Sequence, residues 1–598
     1  MKVLLTTLNS KFIHTCLALR YLKHSVNSIC ECDMREYTIN ENIESIFADI
    51  YRGNYDIIGF SCYIWNIEPI LKICSSLKAA NPKLKIILGG PEVSFDSIEL
   101  IKKNKFIDFI IKGEGENTIV SLINTISDDV QNYNIDSIVY KRDKLPEYTG
   151  YKFVENETFF IIENKDDNII NDLSSIKSPY TDVTTEEIEN KIVYYETSRG
   201  CTFNCSYCLS SILKGVRFFP LERVKKDLKK LVDMNAKQIK FVDRTFNSHK
   251  DKTLELIKYL KEIDNNIINF HFEITAHMLQ DDFMKEIKDA RYGLFQFEIG
   301  VQSTNNETIK AVNRIDNFEK LSNRVRQVKE YGNIHQHLDL IAGLPYEDIE
   351  SFKKSFNDVF SLQPEALQLG FLKMLKGSPI REQTDDFGYI YRKYPPYEVI
   401  SNCFITANDI LYLKEIEEIL DIFYNSGMFL YSMKYLFENL YKNNPFKMFE
   451  ELLEFKNKFS PFKNISRDKN YELIWSFGQI KLSKDKDAFI EILKFDYLRM
   501  GRNRVIPNYL RNRTSISRED AVSWVSKDFV RKELGYFSLH PMEMIKKIHV
   551  ELFEYNIIDY ILNQIDLMNK KTIVAFDYGG NKDFMDKVKF VGGYYDQI

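Results

Sequence analysis

The sequence predicts an α/β fold class for its first two thirds and a mainly helical last third. Three observations carry this. Over residues 1–127, short buried-type apolar runs alternate with amphipathic helical stretches, the pattern of a doubly wound, Rossmann-like (flavodoxin-like) parallel sheet. Between 191 and 380 six further runs alternate with helical stretches, as in a parallel barrel or a partial (βα)6 barrel. From 381 to 598 the chain is rich in Tyr, Phe, Leu and Lys with a 3.6-residue apolar period, and 128–190 reads as a connecting segment with short strands.

Composition sets the outer bounds. A chain of 598 residues is too long for one core. With 44% hydrophobic and 28% charged residues it reads as globular and soluble, and no apolar run approaches the roughly eighteen residues of a membrane span. The opening MKVLLTTLNSKFIH lacks a cleavage site and reads as a first strand rather than a signal peptide. Nine cysteines, with one cluster of three accounting for the distinctive spacing, fit a reducing cytosol, and the other six are expected in the core. A net charge of −5 gives no general attraction for nucleic acid.

In the first segment the strand-like runs are Val3 to Leu5, Ile57 to Phe60, Ile86 to Leu88 and Phe109 to Ile111. A helix is expected on Ile67, Ile70, Leu71, Cys74 and Leu77. Such sheets bind ligands past the carboxyl ends of their strands. Those positions are Leu8 to Ser10, Ser61 to Tyr63, Gly89-Gly90-Pro91 and Gly113-Glu114-Gly115-Glu116. Glycine there permits tight turns and close approach to a bulky ligand, and equally can serve only to turn the chain.

The barrel runs are Ile192 to Thr197, Ile239 to Val242, Phe270 to Ile274, Phe295 to Val301, His337 to Ile341 and Leu367 to Phe371. Directly after the first comes TSRGCTFNCSYCL, with Cys201, Cys205 and Cys208 in a C-x3-C-x2-C spacing. Three thiolates this close can hold one soft metal centre. Iron-sulfur clusters normally take four, so one iron would be left open to a small molecule. A partial zinc site or three buried thiols are the alternatives. Later strand ends carry Asp243 and Asn247, then Glu298, Gln302 and Ser303, then Asp339 and Gly343. Such groups suit a zwitterion, a ribose and an adenine. Glu273 and His277 also fall at a strand end, either facing the cavity or paired under a loop.

On these residues the chain resembles the radical SAM superfamily, whose C-x3-C-x-aromatic-C signature it matches with Tyr207 as the aromatic. The resemblance implies that Cys201, Cys205 and Cys208 bind a [4Fe-4S] cluster. It also implies that Tyr207, Asp243, Glu298, Gln302, Ser303, Asp339 and Gly343 contact S-adenosylmethionine (SAM). LGGPEVS and IIKGEGENT resemble the cobalamin-binding domain that precedes many radical SAM domains. That implies a corrinoid held by Ser61, Tyr63, Gly89, Gly90, Gly113, Glu114, Gly115 and Glu116. The D-x-H-x-x-G motif that supplies a histidine to cobalt is replaced by NSKFIHTCLA, where His14 lacks the spacing and is expected to begin the first helix.

The implied activity is reductive cleavage of SAM to a 5'-deoxyadenosyl radical and functionalisation of an unactivated carbon, by methyl transfer first. Cyclisation or oxidation without methyl transfer is the alternative, and a non-catalytic corrinoid or iron-sulfur sensor is the alternative of another class. Implied partners are a small-molecule or natural-product substrate and an electron donor such as flavodoxin or ferredoxin. A methylthiotransferase would need three further cluster cysteines, which Cys16, Cys30, Cys32, Cys62 and Cys74 do not match.

Past residue 381, YEVISNCFIT and NSGMF resemble an uncharacterised C-terminal extension of some cobalamin-binding radical SAM proteins. A helix over Asn408 to Phe423 is expected to bury Ile410, Leu411, Leu413, Ile416, Leu420 and Phe423. Arginines at 499, 502, 504, 511, 513 and 518 suit an anionic ligand or, more simply, a solvated surface paired with acids. KTIVAFDYGG and KFVGGYYDQI are expected as two closing strands.

Overall fold

A computed structural model describes residues 1–129, 132–156, 158–213, 215–460, 465–501, 505–511, 515–563, 565–579 and 588–595. The chain forms two compact units, one of Met1–Asp348 with Gly370–Ala407 and one of Ile349–Leu369 with Asn408–Ile598.

The first unit begins with an eight-stranded sheet. Its strands are β1 (Lys2–Asn9), β2 (Glu31–Thr38), β3 (Ile57–Ser61), β4 (Lys85–Gly89), β5 (Phe109–Ile111), β6 (Ile138–Arg142), β7 (Tyr151–Glu155) and β8 (Phe160–Asn164). The order β2-β1-β3-β4-β5 is parallel and flavodoxin-like; β6, β8 and β7 extend it antiparallel. The stretch expected as a connector thus adds three strands to this sheet. Alternate residues explain the layering. Leu4 and Leu8 enter one core and Val3 and Leu5 the other, because helices cover both faces. The helices are α1 (Leu17–Val26), α2 (Ile43–Arg52), α3 (Ile67–Ala80), α4 (Ser97–Lys103) and α5 (Glu116–Ser127). His14 precedes α1 rather than beginning it.

A second sheet follows. Its strands are β9 (Ile192–Tyr195), then β12 (Gln238–Phe241), β13 (Asn269–Ile274), β14 (Phe295–Gln302), β15 (His335–Ala342) and β16 (Ala366–Phe371). Between β9 and β12 an antiparallel hairpin, β10 (Ser198–Cys201) with β11 (Gly215–Phe218), carries the first cysteine. The sheet order β16-β15-β14-β13-β12-β9 is the six-stranded arrangement expected from the sequence. The side-chain period of two sorts its faces. Phe241, Phe270, Phe272, Phe295 and Phe297 are fully buried on one face. Lys240, His271, Glu273, Glu298, His337 and Asp339 take the alternate positions.

The second unit is mainly helical. Ala407–Leu420 buries Ile410, Leu413, Ile416 and Leu420, while Leu411 is 57% exposed, so the apolar stripe is narrower than the residue types suggest. Strands Ile548–Phe553, Thr572–Asp577 and Lys589–Tyr594 make a three-stranded antiparallel sheet. Of the arginines, Arg499 is fully buried against Asp496, and Arg502, Arg504 and Arg513 lie outside the described residues. Among the described residues no helix is long and apolar enough to cross a membrane.

Candidate active site

The cysteine loop leaves β9 at its carboxyl end and is pinned by local bonds. Asp243, at the end of β12 and 1% exposed, accepts from Thr197 N (2.9 Å), Thr197 Oγ1 (2.6 Å) and Ser198 Oγ (2.5 Å). Its oxygens are therefore engaged in holding the start of the hairpin, which the expected SAM contact did not foresee. Gly200 has φ +96°, and a Cβ there would lie 2.1 Å from Gly215 O, so only glycine lets the two hairpin strands close. Ser206 N donates to Val312 O and Ser206 O accepts from Ile380 N, both at 2.9 Å. Asn247 bridges to Thr275 through N–H and C=O, each at 2.9 Å.

All three thiols are free of disulfides. Cys201 Sγ receives the N–H of Phe203 at 3.4 Å and lies 3.7 Å from Thr245 Oγ1. Burial pushes the Cys205 thiol up, and the Arg314 guanidinium, 4.0 Å from its sulfur, opposes that. Among the described residues no three His, Cys, Asp or Glu side chains converge as they do around a single ion.

Around Cys205 the strand ends gather several of the expected residues. Arg314 Nη1 donates to Tyr207 OH (3.2 Å), Nη2 to Gly300 O, and Nε to Asp316 Oδ2 (3.2 Å). Asp316 also meets His277 Nδ1 at 2.8 Å. Gln302 sits at a register shift in β14 with φ +72°, and its amide folds over Gly300, where a Cβ would meet Nε2 at 2.1 Å. Asp339 pairs in register with Gly300. Gln302 Oε1 and Asp339 Oδ1 are buried without a hydrogen-bond partner. Buried acceptors left unpaired are costly, so this spot is built for donors such as ribose hydroxyls or an ammonium. Burial, with Glu298 and Glu273 nearby, pushes the Asp339 carboxyl well up.

Other expected contacts have bonded partners of their own. Ser303 Oγ donates to Glu347 Oε1 at 2.5 Å, and Gly343 O accepts from Tyr389 OH (3.2 Å) and Asn402 Nδ2 (3.0 Å). Glu298 lies 2.7 Å from Lys240 Nζ and 3.1 Å from His271 Nε2. Burial lowers His271 and the Glu298 contact opposes that, while Lys240 sets a cation beside the same carboxylate. Burial alone would raise Glu298, but His271 and Lys240 together outweigh it and hold the carboxyl at about 2 instead of 4.5. A depressed carboxyl contributes stability above its unfolded value that is lost as pH falls through the folded one. Glu298→Gln should therefore flatten the acid side of the stability curve between 4.5 and about 2, read as urea midpoints near ~pH 5 and ~pH 3.

At the first sheet, the carboxyl ends of β1 and β3 flank the point where strand order reverses. Asn66, fully buried, ties them together. Its Nδ2 donates to Thr7 Oγ1 (3.1 Å), Leu8 O (3.1 Å) and Ser61 O (3.2 Å), and its Oδ1 accepts from Tyr63 N (2.7 Å). Tyr63 stacks on Trp65 at 4.5 Å, and Trp65 is 45% exposed. Gly90 has φ +103° and packs on the Cys62 backbone, with Gly89 O accepting from Cys62 N at 2.7 Å. Gly113 (φ +69°) lies against Asn168, and Gly115 is the N-cap residue of α5. Glu114 and Glu116 turn to Arg217 and Arg199. His14 Nδ1 is 2.7 Å from Tyr194 OH on β9.

Arg314, Asp316 and Asn66 escaped sequence reasoning. Arg314 reaches Tyr207 across 107 positions from an unpatterned loop. The only available signal was a lone cation shortly after a strand-end polar cluster.

Comparison with known proteins agrees with this layout. Residues 195–359 match the Radical SAM superfamily, 3–123 the B12 binding domain, and 385–576 a family described as a protein of unknown function (DUF4080). The cobalamin-dependent radical SAM methyltransferase TokK of Streptomyces tokunonensis is 24% identical over 353 residues, 56% of this chain and 49% of that protein. The chain thus spans about half the length of this curated relative. The cobalamin-dependent SAM radical enzyme OxsB, solved with aqua-cobalamin and SAM, is similar in fold with a TM-score of 0.56 at 15% identity, covering 83% of this chain and 78% of OxsB. The radical SAM methyltransferase TsrM of Kitasatospora setae, solved with cobalamin and a [4Fe-4S] cluster, gives 0.52 at 15% identity, covering 66% of this chain and 78% of TsrM. The chain thus carries, in order, a segment matching the B12 binding domain, one matching the radical SAM superfamily and one matching DUF4080.

Proposed function

We propose that this protein is a cobalamin-dependent radical SAM enzyme that transfers a methyl group to an unactivated carbon of a small-molecule or natural-product substrate. The observation that carries the reading is the grouping of Cys205, Tyr207, Arg314, Gln302 and Asp339 at the mouth of the second sheet. Cys201, Cys205 and Cys208 would hold the [4Fe-4S] cluster, and the loops after β1, β3 and β4 the corrinoid. When bound, these groups supply one-electron cleavage of the SAM sulfonium and a transferable methyl group.

The protein's part is binding, orientation and exclusion of water. Arg314 offers a fixed cation to the SAM carboxylate, and the unpaired oxygens of Gln302 and Asp339 accept from its donors. Tyr207 lies beside Arg314 as a flat surface for adenine. Lys240 pairs with Glu298 within the sheet, while burial raises both the Asp339 and the Glu273 carboxyl. The names of TokK and TsrM support methyl transfer, and TsrM has also been solved with tryptophan as substrate. The reading carries with it a low-potential donor such as flavodoxin or ferredoxin and a reducing, cytosolic setting.

Mass spectrometry of small molecules from cells with and without the protein, grown on methyl-labelled methionine, tests the outcome. A protein-dependent product bearing the label is expected. A protein-dependent product without it would replace methyl transfer by cyclisation or oxidation.

A further inference from the structure

The glutamates of the GEGE segment are both paired with arginines. Glu114 and Glu116 stand between the end of β5 and the first turn of α5, and both close on arginines of the β10–β11 hairpin. Arg217 grips Glu114 with two parallel bonds, Nη2 to Oε1 at 2.6 Å and Nη1 to Oε2 at 3.0 Å. That is the fork geometry at which guanidinium exceeds ammonium. Ile170 N adds a third bond to Oε2 at 2.8 Å. Arg199 Nη2 lies 2.5 Å from Glu116 Oε1 and 2.9 Å from Glu196 Oε1, and its Nη1 is 3.7 Å from Glu114 Oε1. No side chain in the group is more than 17% exposed.

Aromatic packing supports the same junction. Tyr21 of α1 stacks on Phe219, just past β11, with rings 3° from parallel, and Arg199 and Arg223 lie over both rings. Arg199 is two residues before Cys201, and Gly200 between them is locked against Gly215. A displacement of Arg199 is therefore passed to Cys201 with little slack. Nearly dry Arg–carboxylate groups are directional, and removing one partner leaves a charge uncompensated.

We propose that Glu114, Glu116, Arg199 and Arg217 form a clasp that fixes the cysteine-bearing hairpin against the B12 binding domain, and so sets where the cluster sits relative to the corrinoid. The four are positioning residues, and the glutamates are not corrinoid ligands. The part of this claim that concerns cofactors rests on the function proposed above.

The test uses the full chain as wild type, as the double variant Glu114→Gln/Glu116→Gln, and as Arg217→Lys, which keeps the charge but loses the fork. Without added cofactor, amide hydrogen exchange across 198–213 and 215–218 should quicken about tenfold in the double variant and by less in the lysine variant, while β13 and β14 stay as in wild type. After anaerobic reconstitution with iron and sulfide, all three should hold equal iron. Adding hydroxocobalamin should perturb the reduced cluster's EPR signal in wild type and not in the double variant. Unchanged hairpin exchange, or a perturbation equal in wild type and double variant, overturns the clasp. If the double variant does not fold, Arg217→Lys decides alone: faster hairpin exchange supports the clasp and unchanged exchange overturns it. A wild type that takes up neither iron nor cobalamin sinks the two-cofactor function, while the cofactor-free exchange still decides whether the clasp holds the hairpin.

Discussion

Cys205→Ala is expected to remove the iron-sulfur absorbance and to cut SAM cleavage by more than ~10³-fold, because the reaction has no other route to an electron. Cys205 is the most enclosed of the three thiols, at 6% exposure, and the one beside Arg314. Alanine there leaves Arg314 bonded to Tyr207, Asp316 and Gly300, so the fold around it should persist. Iron and sulfide content, the visible spectrum and far-ultraviolet circular dichroism together make the check. A full-strength cluster band in the variant would refute the ligand assignment.

Asp496→Ala should produce the largest loss of stability in the helical unit, about 4 kcal/mol on the scale of broken buried ion pairs. Asp496 is fully buried near the end of Lys486–Arg499. It accepts from Ser432 N and Ser432 Oγ at 2.8 Å and from Tyr431 N at 3.1 Å, which caps the helix Leu430–Leu436. It also meets Arg499 Nε at 3.0 Å. Alanine would uncap one helix and strand a guanidinium that is 1% exposed. Urea unfolding of the full chain, with a midpoint lowered at unchanged slope, is the expected result. An unmoved midpoint would mean that Arg499 finds water or another partner.

What could be read from the sequence follows from which forces act locally. Strands buried on both faces, such as Ile57–Ser61 and Lys85–Gly89, announce themselves as apolar runs, and the barrel strands announce themselves by alternation. β2 is an edge strand reading ECDMREYT, whose only buried side chains are Cys32 and Tyr37, so it carries almost no apolar signal. The β10–β11 hairpin was hidden because its pairing depends on Gly200 and Gly215 and not on apolar residues. Of the site, cysteine spacing was legible because metal chemistry fixes it locally. The partners of Asp243, Glu114 and Glu116 were not legible. Each is a polar residue at a strand end, where composition alone does not separate a ligand contact from a bond to another loop. Arg199 offers the same lesson from the other side, since it stands within the cysteine signature yet reaches Glu116 across 83 positions.

The most direct test of the central claim is the anaerobic assay of full-length protein reconstituted with iron, sulfide and hydroxocobalamin, given SAM and a strong reductant. The account predicts cobalamin that co-purifies with the chain through gel filtration, together with reductant-dependent consumption of SAM and release of 5'-deoxyadenosine. A protein with a full cluster and bound corrinoid that leaves SAM intact would contradict the enzyme and favour a binding or sensing role.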